Sequence, residues 1–163
     1  MQQAPDYVDA VVESDISRVD GVRRDPERVC MLMRSYARMT ASQGSYETML
    51  RDVAKLGLSF GRTSFLEYVA ALKRLFVTDD LGAWNPNLRA KEDIRTSPTR
   101  HFVDPSIATA ALGAGPGDLM GDLNTFGLVF ESLCVSSQSE CDVKICVVFA
   151  SEASYDSSRM RGG

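Results

Sequence analysis

The chain has 163 residues, 44% of them apolar and 25% charged, and its 18 Lys and Arg stand against 22 Asp and Glu for a formal charge of −4. A chain this long can bury roughly 70% of its unfolded surface, so a core is within reach, and disordered, collagen-like and coiled-coil chains are excluded. Net acidity removes whole-molecule electrostatics as a reason to expect nucleic-acid binding.

The opening stretch, Met1 to Asp9, holds two acids and neither a basic nor an apolar run, so it does not read as a signal peptide. The longest uncharged stretch, Pro105 to Gly117, is too short and too rich in Gly to span a bilayer. Cys30, Cys134, Cys141 and Cys146 form no Cys-x-x-Cys pair, and their spacing to His101 fits no zinc pattern. The expectation is reduced thiols, a cytoplasmic location, no membrane contact, and neither metal nor cofactor.

Tyr7, Val8, Val11 and Val12 recur at helical spacing and predict a first helix ending near Ser17, before the break at Gly21. Asp25-Pro26-Glu27 is a helix start: a capping carboxylate, Pro at the first position, and an acid at the positive dipole end. Behind it Val29, Leu32, Met33, Tyr36 and Ala37 form one apolar stripe. A third helix is predicted from Ser45, burying Tyr46, Met49, Leu50 and Val53 and ending at Gly57. Ser64 and Glu67 have capping-box spacing for a fourth, with Phe65, Val69, Leu72 and Phe76 as its apolar stripe.

Val77 to Leu81 then reads as a strand, Gly82 to Asn87 as a turn, and Arg100 to Val103 as a returning strand. Two helices, a turn and a strand pair suggest a helix-turn-helix with a wing. Asp104-Pro105-Ser106 starts another helix through Leu112, Gly113 to Gly117 breaks it, and Leu123, Phe126, Gly127, Phe130 and Leu133 line one face of a last helix. Val143 to Ala150 reads as a lone strand, and Ser151 to Gly163 carries no usable periodicity and reads as a disordered tail. The expected core includes Val29, Leu32, Met33, Tyr36, Met49, Val53, Val69, Leu72, Phe76, Phe126 and Phe130.

Several blocks carry a family likeness: Glu13 to Ile16, Arg23 to Arg28, Trp84 to Asn87, Ser97 to Pro105, and Asp122 to Gly127 with Phe130 to Leu133. Through them the chain resembles the domain of unknown function 4143, the C-terminal part of predicted bacterial and archaeal AAA-type ATPases. The likeness covers roughly Pro5 to Val135. It implies a winged-helix-like region followed by a segment related to restriction-endonuclease-like α/β folds. It also implies an ATPase half that this sequence lacks. Gly57 to Thr63 only echoes a phosphate loop, with three residues between the glycines and Arg62 where Lys is required. Glu131 and the Glu140-Cys141-Asp142 element match the nuclease-like pattern, but no Glu-x-Lys follows, and Tyr155 to Arg159 stands in its place. An internal deletion with a shifted reading frame would account for that departure.

The expected fold is therefore α+β and mainly helical. A helical and winged-helix-like region occupies residues 1–104, an incomplete nuclease-like α/β segment 105–150, and a tail 151–163. Metal-dependent cleavage needs several carboxylates and a Lys, so Glu131 and Asp142 alone do not make an enzyme. His101, the single His, has no elbow or oxyanion motif for nucleophilic catalysis with Cys134. A local basic excess remains: Arg62, Lys73, Arg74, Arg89, Lys91, Arg95 and Arg100 would meet phosphates in a winged helix, opposed by Glu67, Asp79 and Asp80. The reading is a non-catalytic regulatory or interaction domain, a fragment whose partner is a separately encoded AAA-type ATPase domain. A winged-helix DNA-binding module is the alternative, and a remnant nuclease-like domain a further one.

Overall fold

The computed structural model describes residues 3–82 and 97–139. Helix α1 (Gln3–Ala10) runs through a π-helical turn, Val11–Asp15, into the short α2 (Ile16–Arg18). The wider turn has a visible purpose. Val11 and Ile16 are five residues apart, out of phase on an α-helix, yet both are buried because the extra residue turns Ile16 back to the core. Arg24 closes this end: its guanidinium grips Asp20 through two 2.7 Å contacts and the Ile16 carbonyl at 2.7 Å.

Helix α3 (Pro26–Ala37) starts as the sequence implies, with the Asp25 carboxylate accepting from the Glu27 N–H at 3.0 Å. Helix α4 (Tyr46–Lys55) is capped by Ser45 and leaves through Gly57, whose φ of 90° only glycine adopts without strain. Helix α5 (Arg62–Arg74) begins before the predicted Ser64 box: the Gly61 carbonyl accepts the Phe65 N–H at 2.9 Å, placing Ser64 inside the first turn. Residues 57–61 are thus the connection between α4 and α5. Val29, Leu32, Met33, Tyr36, Met49, Val53, Val69 and Leu72 are buried as expected. Phe65 stacks edge-on against Tyr46 and Phe60, which seals the α4–α5 side.

After α5 the chain pairs with itself. Thr78 lies antiparallel to Phe102, and Leu81 to Thr99, in one shared register. Thr40 bridges Arg100 in parallel on the other side, so residues 99–103 are held between two neighbours. These are isolated bridges; among the described residues none extends into a strand. The predicted return of the chain is present, as pairing of a few residues. Residues 83–96, which include the predicted turn beyond Gly82, lie outside the described residues.

Helix α6 (Pro105–Leu112), capped by Asp104, places Ile107 and Ala108 in the same core and packs on α1 and α3. Helix α7 (Pro116–Gly121) and α8 (Leu123–Ser139) follow, α8 resting on α6. The core therefore continues past residue 104. The fold is mainly helical, and the nuclease-like α/β expectation for 105–150 is corrected here: three helix starts, at Asp104-Pro105, Gly115-Pro116 and Asp122, turn the described part into helices. The predicted strand 143–150 and the tail lie outside the described residues.

Three core expectations are also corrected. Phe76 is 78% exposed because α5 ends at Arg74, capped by Leu75, before the stripe reaches it. Phe126 and Phe130 share a face as predicted, but it points outward. The inward face of α8 carries Leu128, Val129 and Ser132 instead.

Candidate functional site

The predicted basic residues do not converge. Arg62 and Arg74 are the first and last residues of α5, about 18 Å apart along its axis at 1.5 Å per residue. Each has an acidic partner: Arg62 meets Glu47 at 2.6 Å, and Arg74 meets Asp20 at 3.7 Å. Both remain exposed. Lys73 and Arg100 are engaged elsewhere, and Arg89, Lys91 and Arg95 lie outside the described residues.

Lys73 and Arg100 meet at Asp80. The Arg100 guanidinium reaches its carboxylate at 2.5 Å and the Lys73 ammonium at 2.6 Å, and the Tyr36 hydroxyl donates to its other oxygen. Arg100 is only 3% exposed; its Nε donates to the Gly44 carbonyl at 2.9 Å and its plane lies 4.3 Å from the Tyr46 ring centre. Burial depresses the Lys73 and Arg100 ionisations, but Asp80 outweighs it and holds both above their ordinary values. Burial, then the hydrogen bond to Asp80, pushes the Tyr36 phenol well above its ordinary range. The cluster joins α3, the 44–46 turn, α5 and both paired segments. Its chemistry is that of a structural anchor, since each charge is already satisfied. For Arg100 to reach a phosphate, the cluster would have to open.

A second polar contact was not visible in the sequence. The buried His101 imidazole lies 3.1 Å through Nδ1 from the Ser132 hydroxyl, itself buried, and joins the paired segment to α8. Burial holds His101 below its ordinary value, against the opposing pull of Glu131, Asp79 and Asp80. A serine nucleophile has to be reached by substrate, and this one is enclosed. Glu131 is exposed on α8 while Asp142 lies outside the described residues, as do Cys141 and Cys146. Cys30 and Cys134 are free and exposed. Among the described residues no three His, Cys, Asp or Glu side chains group as metal ligands would. A depression of about 260 Å³ opens between α3, α6 and α8, lined by Arg38, Thr40, Leu112, Thr125, Leu128 and Val129. It is smaller than the cavities that enclose most small-molecule ligands.

The surface feature that sequence reasoning missed is Phe76. The Val77 N–H returns to the Leu72 carbonyl and the Phe76 N–H to Lys73, both at 3.0 Å, closing α5 in a Schellman arrangement. That arrangement needs a left-handed residue, and Phe76 supplies it at φ 53°. At the ends of α4 and α6 the chain uses Gly57 and Gly113 for the same role. A residue with a Cβ costs about 1 kcal/mol or more there. The sequence signal was the Leu72-to-Val77 junction, where a helical stripe runs into an extended stretch with no glycine between.

The family profile described as "Domain of unknown function (DUF8612)" matches residues 1–118. The matched region holds α1 to α6, the paired segments, Phe76 and the Asp80 cluster, and stops within α7. No curated protein matches, and no solved structure does either. Among the described residues no helix is long and apolar enough to cross a membrane.

Proposed function

The chain belongs to the DUF8612 family, and we propose that in this member the domain is a protein-interaction module with no catalysis of its own, anchoring a partner through Phe76. One observation carries the reading. Phe76 puts a Cβ at a left-handed helix end and leaves its aromatic ring almost wholly in water; closing α5 needs the left-handed backbone but neither the Cβ nor the ring, and both cost stability. Strain that the fold does not need is characteristic of functional positions. Aromatic side chains that can enter a partner's apolar pocket are frequent binding anchors. The partner class follows from the likeness to the C-terminal domain of AAA-type ATPases: an ATPase domain encoded separately, met in the cytoplasm.

Calorimetric titration of the domain with such an ATPase domain from a neighbouring reading frame tests this, comparing wild type with Phe76→Gly. The expected result is a tenfold or greater loss of affinity in a variant that melts higher than wild type. Equal affinity, or a variant that melts lower, would refute the role given to Phe76. The nucleic-acid alternative keeps one supporting observation, the exposure of Arg62 and Arg74. Duplex binding that falls steeply with salt and weakens in an Arg62→Ala/Arg74→Ala variant would favour it over the protein partner.

A further inference from the structure

We infer that α8 is a pH-controlled latch, docked while the His101 imidazole is neutral and lifted from the body of the protein when that ring takes up a proton. Among the described side chains of α8, Ser132 alone is fully buried, at 1% exposure. A helix of 17 residues is thus closed down at one buried point, and that point is polar. Its partner, His101, is 3% exposed and 3.1 Å away. Beside the contact the fit is loose: the depression between α3, α6 and α8 leaves Leu128 and Val129 half covered.

A buried imidazolium needs a counter-charge or water, and the docked helix supplies neither in full. Three acids pull towards the protonated ring. Glu131, the sole charge in Leu123–Ser139, and Asp79 are both exposed, so solvent screens them. Asp80 is already engaged by Arg100, Lys73 and the Tyr36 hydroxyl. Helix α6 carries no ionisable side chain, and Arg38, where α3 ends, pairs with Asp52. The Ser132 hydroxyl can donate to a neutral Nδ1 or accept from a protonated one, so the hydrogen bond does not decide the outcome. The charge does. With α8 lifted, the ring meets water and titrates near its ordinary 6.5; with α8 down, burial defers protonation to lower pH. The docked form is therefore favoured above 6.5, and the lifted fraction grows as pH falls from there towards the docked value, by at most about tenfold per pH unit. Lifting bares Leu128, Val129 and the part of α6 on which α8 rests. None of this depends on Phe76.

Nuclear magnetic resonance on the full chain tests this. The single histidine gives one imidazole titration, whose midpoint is expected below 6.5. Backbone amide exchange, corrected for the intrinsic effect of pH, is compared at about pH 7.5 and 5.5. A lone helix of this length is marginal in water, so its amides exchange once it lifts. Amides around Ser132 should open more readily than those of α3 and α5 at both values, and their opening should rise about tenfold at the lower one. In His101→Gln, which has no charge to gain, that rise should vanish. Glu131→Gln alters an exposed residue and keeps the test alive even where His101→Gln does not fold. Loss of that acid should lower the imidazole midpoint and enlarge the rise. Equal opening at the two pH values, or α8 amides as protected as those of α3 and α5, would overturn the inference. So would a midpoint at or above 6.5, a rise that survives His101→Gln, or a midpoint that Glu131→Gln leaves in place or raises.

Discussion

Asp80 neutralises the buried Arg100 guanidinium and also pairs with Lys73, whose side chain stays in contact with solvent. Asp80→Asn removes the charge but keeps the shape, so the buried Arg100 guanidinium retains a neutral acceptor there, the Gly44 carbonyl and the Tyr46 ring but loses its counter-charge. The expected loss is about 3–5 kcal/mol, the scale for breaking a buried pair from one side, read by urea denaturation. Arg100→Met should cost less, because Asp80 then keeps Lys73 and the Tyr36 hydroxyl. Two left-handed positions make a matched comparison. Gly113→Ala meets no neighbouring atom within 4 Å, so its expected loss of about 1 kcal/mol is backbone strain alone. Phe76→Gly runs in the opposite direction and should raise the thermal midpoint by about 2–4 °C. Opposite signs at two helix ends would show that the aromatic ring is kept against the interest of stability.

At the scale of elements, α8 is fastened to the paired segment by His101 and Ser132. Burial makes the neutral imidazole the favoured form in the folded chain, so its ionisation lies below that of the unfolded chain. The unfolded chain then takes up the proton first as pH falls. His101 therefore contributes stability above its ordinary value of 6.5, and that contribution is lost as pH drops below it towards the folded value. Thermal midpoints measured between about pH 8 and 5 should decline on the acid side, and His101→Gln should flatten that part of the profile. Helix boundaries were legible where a cap announced them, at Asp25, Ser45 and Asp104, because capping is a contact between near neighbours. The orientation of α8 was not legible. Both of its faces are apolar, Leu128 and Val129 on one and Phe126 and Phe130 on the other, and periodicity identifies a stripe without saying which stripe meets α6. The Asp80 cluster was hidden for a related reason. Charge counting set Asp80 against Lys73 and Arg100 as an electrostatic debit, whereas long-range pairing makes the three one unit.

For the molecule as a whole, α6 shares its core with α1 and α3, and α8 leans on α6. Residues on both sides of position 104 should unfold together. Helix content followed in the far ultraviolet and tyrosine signals followed in the near ultraviolet should give one superimposable transition. Separate midpoints would return a boundary at 104. The pairing of Leu81 with Thr99 has a practical consequence of a different kind. Each residue donates its N–H to the other's carbonyl at 2.9 Å, and the Asp80–Arg100 contact sits one step further in. Leu81 and Thr99 are thus stitched together by the body of the protein, 18 positions apart in the chain. Loop closure grows costlier only slowly with length. An epitope or reporter peptide inserted just beyond Leu81 or just before Thr99 would accordingly start from ends that the body of the protein already holds together.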